Sequence, residues 1–187
     1  KAYILYRNDE ELAARLLYRE LMARYPARTR IRYNLALLEL ERDRPGVART
    51  VLEEGLDDAG DDEDYHWVLA ESAYLDDDPD AAARYLELYR GIVAEDPEKL
   101  AELAERYAEW EFTLAALEVL DTIPEMLEQD AALQFLEAKL YLLETPEFDT
   151  GIDALRSALR LGYADRRALT DLRAELPAAD HAEIDEV

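Results

Sequence analysis

His66 and His181 are the only imidazoles in this chain of 187 residues. An imidazole is the side chain best suited to moving protons near neutral pH. Neither histidine lies in a His-Glu-x-x-His pattern, the spacing that sets two metal ligands on one helix face. Carboxylates are the other chemistry on offer. The run Asp57-Asp58-Ala59-Gly60-Asp61-Asp62-Glu63-Asp64 is dense in oxygen, but lacks the alternating ligands and distal glutamate of a calcium loop. It reads as a solvated turn, and the segment Asp76–Asp80 reads the same way. No glycine-rich phosphate loop is present, and the absence of cysteine removes thiolate and disulfide chemistry. No catalytic residue, metal ligand or cofactor is assigned. An enzyme would have to work through paired carboxylates, for which Glu71 and Glu105 are the candidates.

Composition narrows the partners. Asp and Glu total 45 against 21 Lys and Arg, for a formal charge of −24, and the acids are spread along the whole length. Nucleic acid is a poor partner, because neutralising phosphates needs clustered bases. An anionic membrane surface is disfavoured for the same reason. Basic proteins or peptides are attracted instead, the more so at low salt. Lys1, Lys99 and Lys139 are the only lysines. Such an acidic, lysine-poor surface fits adaptation to high salt and fits equally an arginine-favouring genome. No window approaches 18 consecutive apolar residues, so no segment inserts directly into a bilayer. Lys1–Arg7 reads as the tail of a helix whose start is missing, which leaves the compartment open between cytoplasm and cell envelope.

What organises the chain is a period. Ala14, Ala48, Ala82 and Ala116 are each 34 residues apart, and so are Ala36, Ala70, Ala104 and Ala138. The bulky residues Tyr18, Leu52, Leu86 and Leu120 keep the interval, as do Leu35, Leu69 and Leu103. Small and large apolar residues in fixed register at this period mark a helical repeat. Within one copy, Ile31, Leu35, Leu38 and Arg42 fall at helical spacing after Pro26. Asp43-Arg44-Pro45-Gly46 then breaks the helix, and a second carries Val47, Val51, Leu52 and Leu56 on one face. The unit is an antiparallel hairpin. The final copy slips by one residue around Glu144–Pro146, after which Gly151, Ile152, Leu155, Ala158 and Leu159 resume the second-helix pattern. The spacing predicts a single closing helix over Ala164–Leu176.

This pattern resembles the tetratricopeptide repeat, a 34-residue helix–turn–helix unit. Leu35-Ala36, Leu69-Ala70 and Leu103-Ala104 stand at the motif's Leu-Gly pair, Tyr107 and Tyr141 at its first-helix aromatic, and Pro26 at its closing proline. The departures are Arg32, His66, Leu100 and Gln134 at the motif tryptophan, and Glu137 where leucine is expected. The resemblance implies an all-α fold, a right-handed superhelical solenoid of antiparallel helix hairpins. It implies a single domain over 1–187: a partial repeat 1–25, repeats over 26–59, 60–94, 95–128 and 129–162, a capping helix 163–177 and a polar tail 178–187. It makes His66 a packing residue.

The family binds partners chiefly on the concave face, lined by the first helix of each repeat. The resemblance places Tyr33, Trp67, Ala101 and Phe135 at one groove-facing position, and Leu37, Glu71, Glu105 and Lys139 four residues later. The next turn gives Tyr6, Leu40, Tyr74, Ala108 and Leu142. The partner-binding set is therefore Tyr33, Leu37, Trp67, Glu71, Tyr74, Glu105, Phe135 and Lys139. The aromatic members serve either as groove anchors or as core between neighbouring first helices. The Lys, Asn and Arg clamp with which one subclass grips chaperone C-termini has no counterpart at these positions. The expected role is a non-catalytic scaffold or adaptor for a protein or peptide, basic with apolar anchors. The alternative is a self-assembling or structural module, a homo-oligomer or longer array joined through the repeat edge at Lys1–Arg7.

Overall fold

Why the period produces hairpins is visible in how each helix starts and stops. The computed structural model describes residues 11–178, 180, 181 and 184, and among them all regular structure is helical. The helices are α1 (Glu11–Arg24), α2 (Thr29–Leu40), α3 (Pro45–Glu53), α4 (Leu56–Ala59), α5 (Glu63–Leu75) and α6 (Pro79–Ile92). They continue with α7 (Pro97–Glu109), α8 (Thr113–Leu120), α9 (Pro124–Leu127), α10 (Ala131–Glu144), α11 (Phe148–Arg160) and α12 (Arg166–Glu175). The chain divides into two compact units, Lys1–Val93 and Ala94–Val187. The expected edge at Lys1–Arg7, and Tyr6 with it, lies outside the described residues.

In the first unit α2 pairs with α3 and α5 with α6, while α3 packs on α5 and α1 on α2. In the second, α7 pairs with α8 and α10 with α11, and α8 packs on α10. The capping helix α12 lays Leu172, with Leu176 just beyond its end, on a cluster formed by Phe135, Ala138, Leu142, Ile152 and Leu155. Both alanine ladders, from Ala14 to Ala116 and from Ala36 to Ala138, are fully buried. A methyl group there lets helix backbones approach closely, and anything larger would force them apart. Gly151 takes the ladder one step further. A Cβ on it would meet Leu142 Cγ at 2.6 Å, so this crossing is too tight even for alanine.

The turns repeat as strictly as the core. Asp43, Asp77 and Glu111 have φ of 56°, 61° and 63°, the left-handed conformation, again at intervals of 34 residues. Each is followed by the same closing bond: Arg44 N donates to Glu39 O, Asp78 N to Ala73 O and Phe112 N to Tyr107 O. This is the six-to-one link of a Schellman turn, which satisfies carbonyls left over at a helix end. The fourth hairpin departs from it. Thr145 precedes Pro146, whose ring disfavours helical dihedrals in its neighbour, and Thr145 is extended at φ −128°, ψ 162°. Its hydroxyl donates to Tyr141 O at 3.1 Å and accepts from Glu147 N at 3.1 Å, holding a turn of another kind. That is the physical content of the one-residue slip.

First-helix starts form a further series. Asp62, Asp96 and Asp130, 34 residues apart, each accept from a backbone N–H of the next turn: Tyr65, Lys99, and both Ala132 and Leu133. An aspartate cap of this type contributes about 1 kcal/mol. Part of the acidic run 57–64 is thereby accounted for. Asp62 is a helix cap, and among the described residues no acidic cluster is arranged to hold a metal ion.

Two expectations need correction. The second helix drawn through Leu56 stops at Glu53, and Leu56 begins the separate short helix α4. The break is at Gly55, where a Cβ would collide with the Arg32 side chain and lie 2.6 Å from Tyr65 Oη. Those two residues also bond carbonyls at the end of α3: Tyr65 Oη donates at 2.7 Å to Leu52 O, which also accepts from Gly55 N, and Arg32 Nη1 donates to Val51 O at 3.2 Å. Val47, assigned to the buried face, is instead exposed. It belongs to the first turn of α3.

The left-handed turn residues yield a test. Glycine carries no Cβ penalty at positive φ, and a β-branched residue carries the largest. Asp77→Gly is expected to change unfolding free energy by less than about 1 kcal/mol, in the stabilising direction, because relief of strain outweighs unfolded-state entropy. Asp77→Ile is expected to cost about 1–2 kcal/mol. Urea denaturation of both variants checks the order.

Candidate functional site

The first-helix positions singled out in the sequence fall into two groups, one in each unit. In the first unit Tyr33 and Leu37 stand on α2, and Trp67, Glu71 and Tyr74 on α5. All five are half-buried. Tyr33, Leu37 and Trp67 lean on a core of Ala36, Ala48, Leu52, Tyr65, Val68 and Leu69, leaving part of each side chain outward. Trp67 meets Tyr89 of α6 edge to face, with ring centroids 5.0 Å apart. The Arg30 guanidinium lies over the Tyr33 ring at 4.4 Å from its centroid. Burial raises the Tyr33 phenol above its usual range, and Asp64, Asp62 and Glu71 push in the same direction against Arg30.

His66 is 6% exposed, and its Nε2 lies 2.8 Å from Gly60 O. The motif tryptophan position is buried in every copy, as Arg32, His66, Leu100 and Gln134. Different residues fill the same slot, and Arg32 and His66 each find an oxygen partner there. Arg32, for example, reaches Glu54 at 2.9 Å as well as Val51 O.

In the second unit the same face opens into a groove of about 480 Å³ between α7 and α10. Glu105, Ala108 and Glu109 line it from α7, and Leu136, Lys139, Leu140, Leu143 and Glu144 from α10. Glu111 and Thr113 close one end, and Glu175 of α12 contributes from the capping helix. Of the expected residues, Glu105 and Lys139 come together here. Phe135 does not join them. It is 8% exposed, with its ring stacked on Tyr163 at 4.2 Å and 13°, as part of the unit's core. Of its two readings, core packing is what this geometry favours.

Sequence reasoning missed Glu109, Glu111, Glu144, Glu175 and the three leucines. Glu109 and Leu143 lie one helical turn beyond Glu105 and Lys139, so extending the face by four residues would have found them. Glu175 had no such signal, since only the docking of α12 brings it near.

The groove's electrostatics follow from this crowding. Glu105 is held above the usual carboxylate range, first by burial and then by Glu109, Glu102 and Asp130. Glu137, at the position occupied by leucine in earlier copies, is likewise raised by burial and by Asp121. What such a face can do chemically is attract a cation and shelter an apolar side chain.

No model of a known protein family matches the sequence, and no curated protein matches it. Solved structures do match. Two crystal structures of MamA superpose with a TM-score of 0.66 at 12% identity, covering 86% of this chain and 93% and 87% of theirs. YrrB, described as a TPR protein with an unusual peptide-binding site, superposes with a TM-score of 0.68 at 16% identity. That match covers 91% of this chain and 87% of YrrB. The fold is therefore all-α, of the tetratricopeptide-repeat solenoid type.

Glu105 and Glu137 give a pH-dependent test. A carboxyl whose folded pKa lies above its unfolded value binds its proton more tightly when folded. Its charge therefore costs stability above the folded pKa, and that cost disappears as pH falls through it. Glu105→Gln and Glu137→Gln are each expected to raise the melting temperature at pH 7, with the gain fading on acidification toward pH 4. Thermal melts across this range decide it, and a gain that grows toward acid would contradict the assigned cause.

Proposed function

We propose that this protein is a non-catalytic scaffold that binds a protein or peptide partner on the first-helix faces of its repeats. The observation that carries the reading is a division of labour within each copy. Positions that set helix stacking are constant and buried, whereas neighbouring outward positions on the same helices change from copy to copy. Tyr33, Leu37, Trp67, Glu71 and Tyr74 supply the face of the first unit, and Glu105 and Lys139 that of the second. Phe135 supports this face from beneath. Half-buried aromatics that keep part of their surface outward are favoured anchors, because they bury large area at small entropic cost. The YrrB likeness adds a fold in which a peptide-binding site has been described.

Affinity capture with the intact chain tests the reading. Glu71→Lys is expected to reduce partner recovery, quantified by mass spectrometry, without moving the melting temperature. Trp67→Ala is expected to reduce recovery too, with a melting point lower by a few degrees because the contact with Tyr89 is lost. Undiminished recovery with both variants would overturn it.

A second reading, assembly through the repeat edge, is favoured by one feature of α1. Leu12 and Leu16, one helical turn apart, are 67% and 58% exposed. Under this reading the chain self-associates, and Leu12→Glu with Leu16→Glu yields monomer in light scattering. A wild-type chain that stays monomeric at high concentration removes it.

A further inference from the structure

The groove of the second unit has a more particular chemistry than a general binding face, and its lining identifies the kind of segment it fits. The floor is aliphatic: Leu136, Leu140 and Leu143 follow one stripe of α10, and Ala108 of α7 leaves space opposite them. Around this floor stand five carboxylates, Glu105, Glu109, Glu111, Glu144 and Glu175, against the single base Lys139. Two of these acids, Glu105 and Glu109, are on the α7 wall, one turn apart, and Glu105 is raised first by burial and then by the charge of Glu109. Among the described residues no carboxylate of this rim pairs with Lys139 within ion-pair distance. Of the rim acids, Glu109 pairs with Arg106 of its own helix, at 2.9 Å and with Glu109 largely exposed.

Resting on the scaffold reading above, we propose that this groove docks a peptide segment in which arginine or lysine alternates with large aliphatic side chains. Charge complementarity selects the basic residues. A rim of like charges is relieved by a cation, and a guanidinium spans two carboxylates one turn apart more readily than a point charge does. The floor selects the aliphatic ones. A purely polar cation would leave the leucines in water, whereas an inserted aliphatic side chain covers them and the space over Ala108. The volume suits a few side chains rather than a whole folded surface. Lys139 breaks the acidic rim on the α10 side, so basic residues of the segment turn toward α7.

The test uses a fluorescein-labelled eight-residue peptide of alternating arginine and leucine, titrated against the intact chain by anisotropy at low salt. It is compared with arginine–serine and glutamate–leucine peptides of equal length. The arginine–leucine peptide is expected to bind at least about tenfold more tightly than either. The double variant Glu105→Gln with Glu109→Gln should weaken it about tenfold. The charge-matched control Glu125→Gln with Glu128→Gln, outside the groove, should change it less than about twofold. Ala108→Leu fills the groove without altering charge and should also weaken binding, a check independent of the acids. Equal losses in the double variant and its control would mean general acidity and overturn the proposal, as would equal binding of the arginine–serine peptide. Peptide binding that ignores the groove variants but falls with Trp67→Ala would overturn this assignment while leaving the wider scaffold reading standing. If partner recovery by the intact chain also survives Glu71→Lys and Trp67→Ala, both fail.

Discussion

Close contact between helix backbones at the two alanine ladders is the constraint on which the rest of the structure depends. Every copy from Ala14 to Ala138 buries a methyl group where a larger side chain would separate the helices. Once the crossings are fixed at that distance, the large residues Leu52, Leu86, Leu120 and Leu155 have one place to go, and they fill it. In the first unit the same spacing brings α5 against the end of α3. Side chains from one copy can therefore complete the backbone bonds of another. Tyr65 donating to Leu52 O across the break at Gly55 is the clearest case.

Polar groups reinforce this contact at the junctions. Arg49 on α3 reaches Glu53 at 2.7 Å and Asp78 at 2.8 Å, and Tyr85 of α6 donates to Glu53 at 2.7 Å. Burial would raise Glu53, but the bonds from Arg49 and Tyr85 outweigh it, and its carboxyl is held below the usual range. Asp78 serves twice, capping α6 through Ala81 N and pairing with Arg49. Glu39 shows the deeper form of the same device. It is fully buried, with Arg15 Nε at 2.7 Å and Arg44 Nη1 at 3.4 Å reaching it from α1 and from the turn after α2. Acidity in this chain is thus partly structural, placed at caps and junctions.

Much of this was legible without coordinates because small residues at helical contacts leave a periodic trace. The ladder, the hairpin unit, the slip near Thr145 and the closing helix all appear as spacing. The aspartate caps Asp62, Asp96 and Asp130 were equally periodic, but lay hidden in acid-rich segments where one more aspartate carries little contrast. The break at Gly55 was not legible, since glycine inside a helical pattern can mean a packing contact, a kink or a stop. It is decided here by Arg32 and Tyr65, which arrive from neighbouring elements. Phe135 shows the limit of pattern at the site. An aromatic at a groove-facing position is read as an anchor until Tyr163, 28 residues away by number, is found stacked on it.

By itself the sequence determined the repeat, its hairpins and the acidic character of the chain, because these depend on residue type and its local interval. Tertiary structure alone decided which outward residues share a groove. Glu105 and Glu109, the three leucines of α10 and Glu175 of α12 come from segments separated by tens of residues. Only the docking of α12 and the placing of α7 beside α10 bring them to one surface. Stacking recurs from copy to copy and so writes a period. A groove is made once, and leaves none.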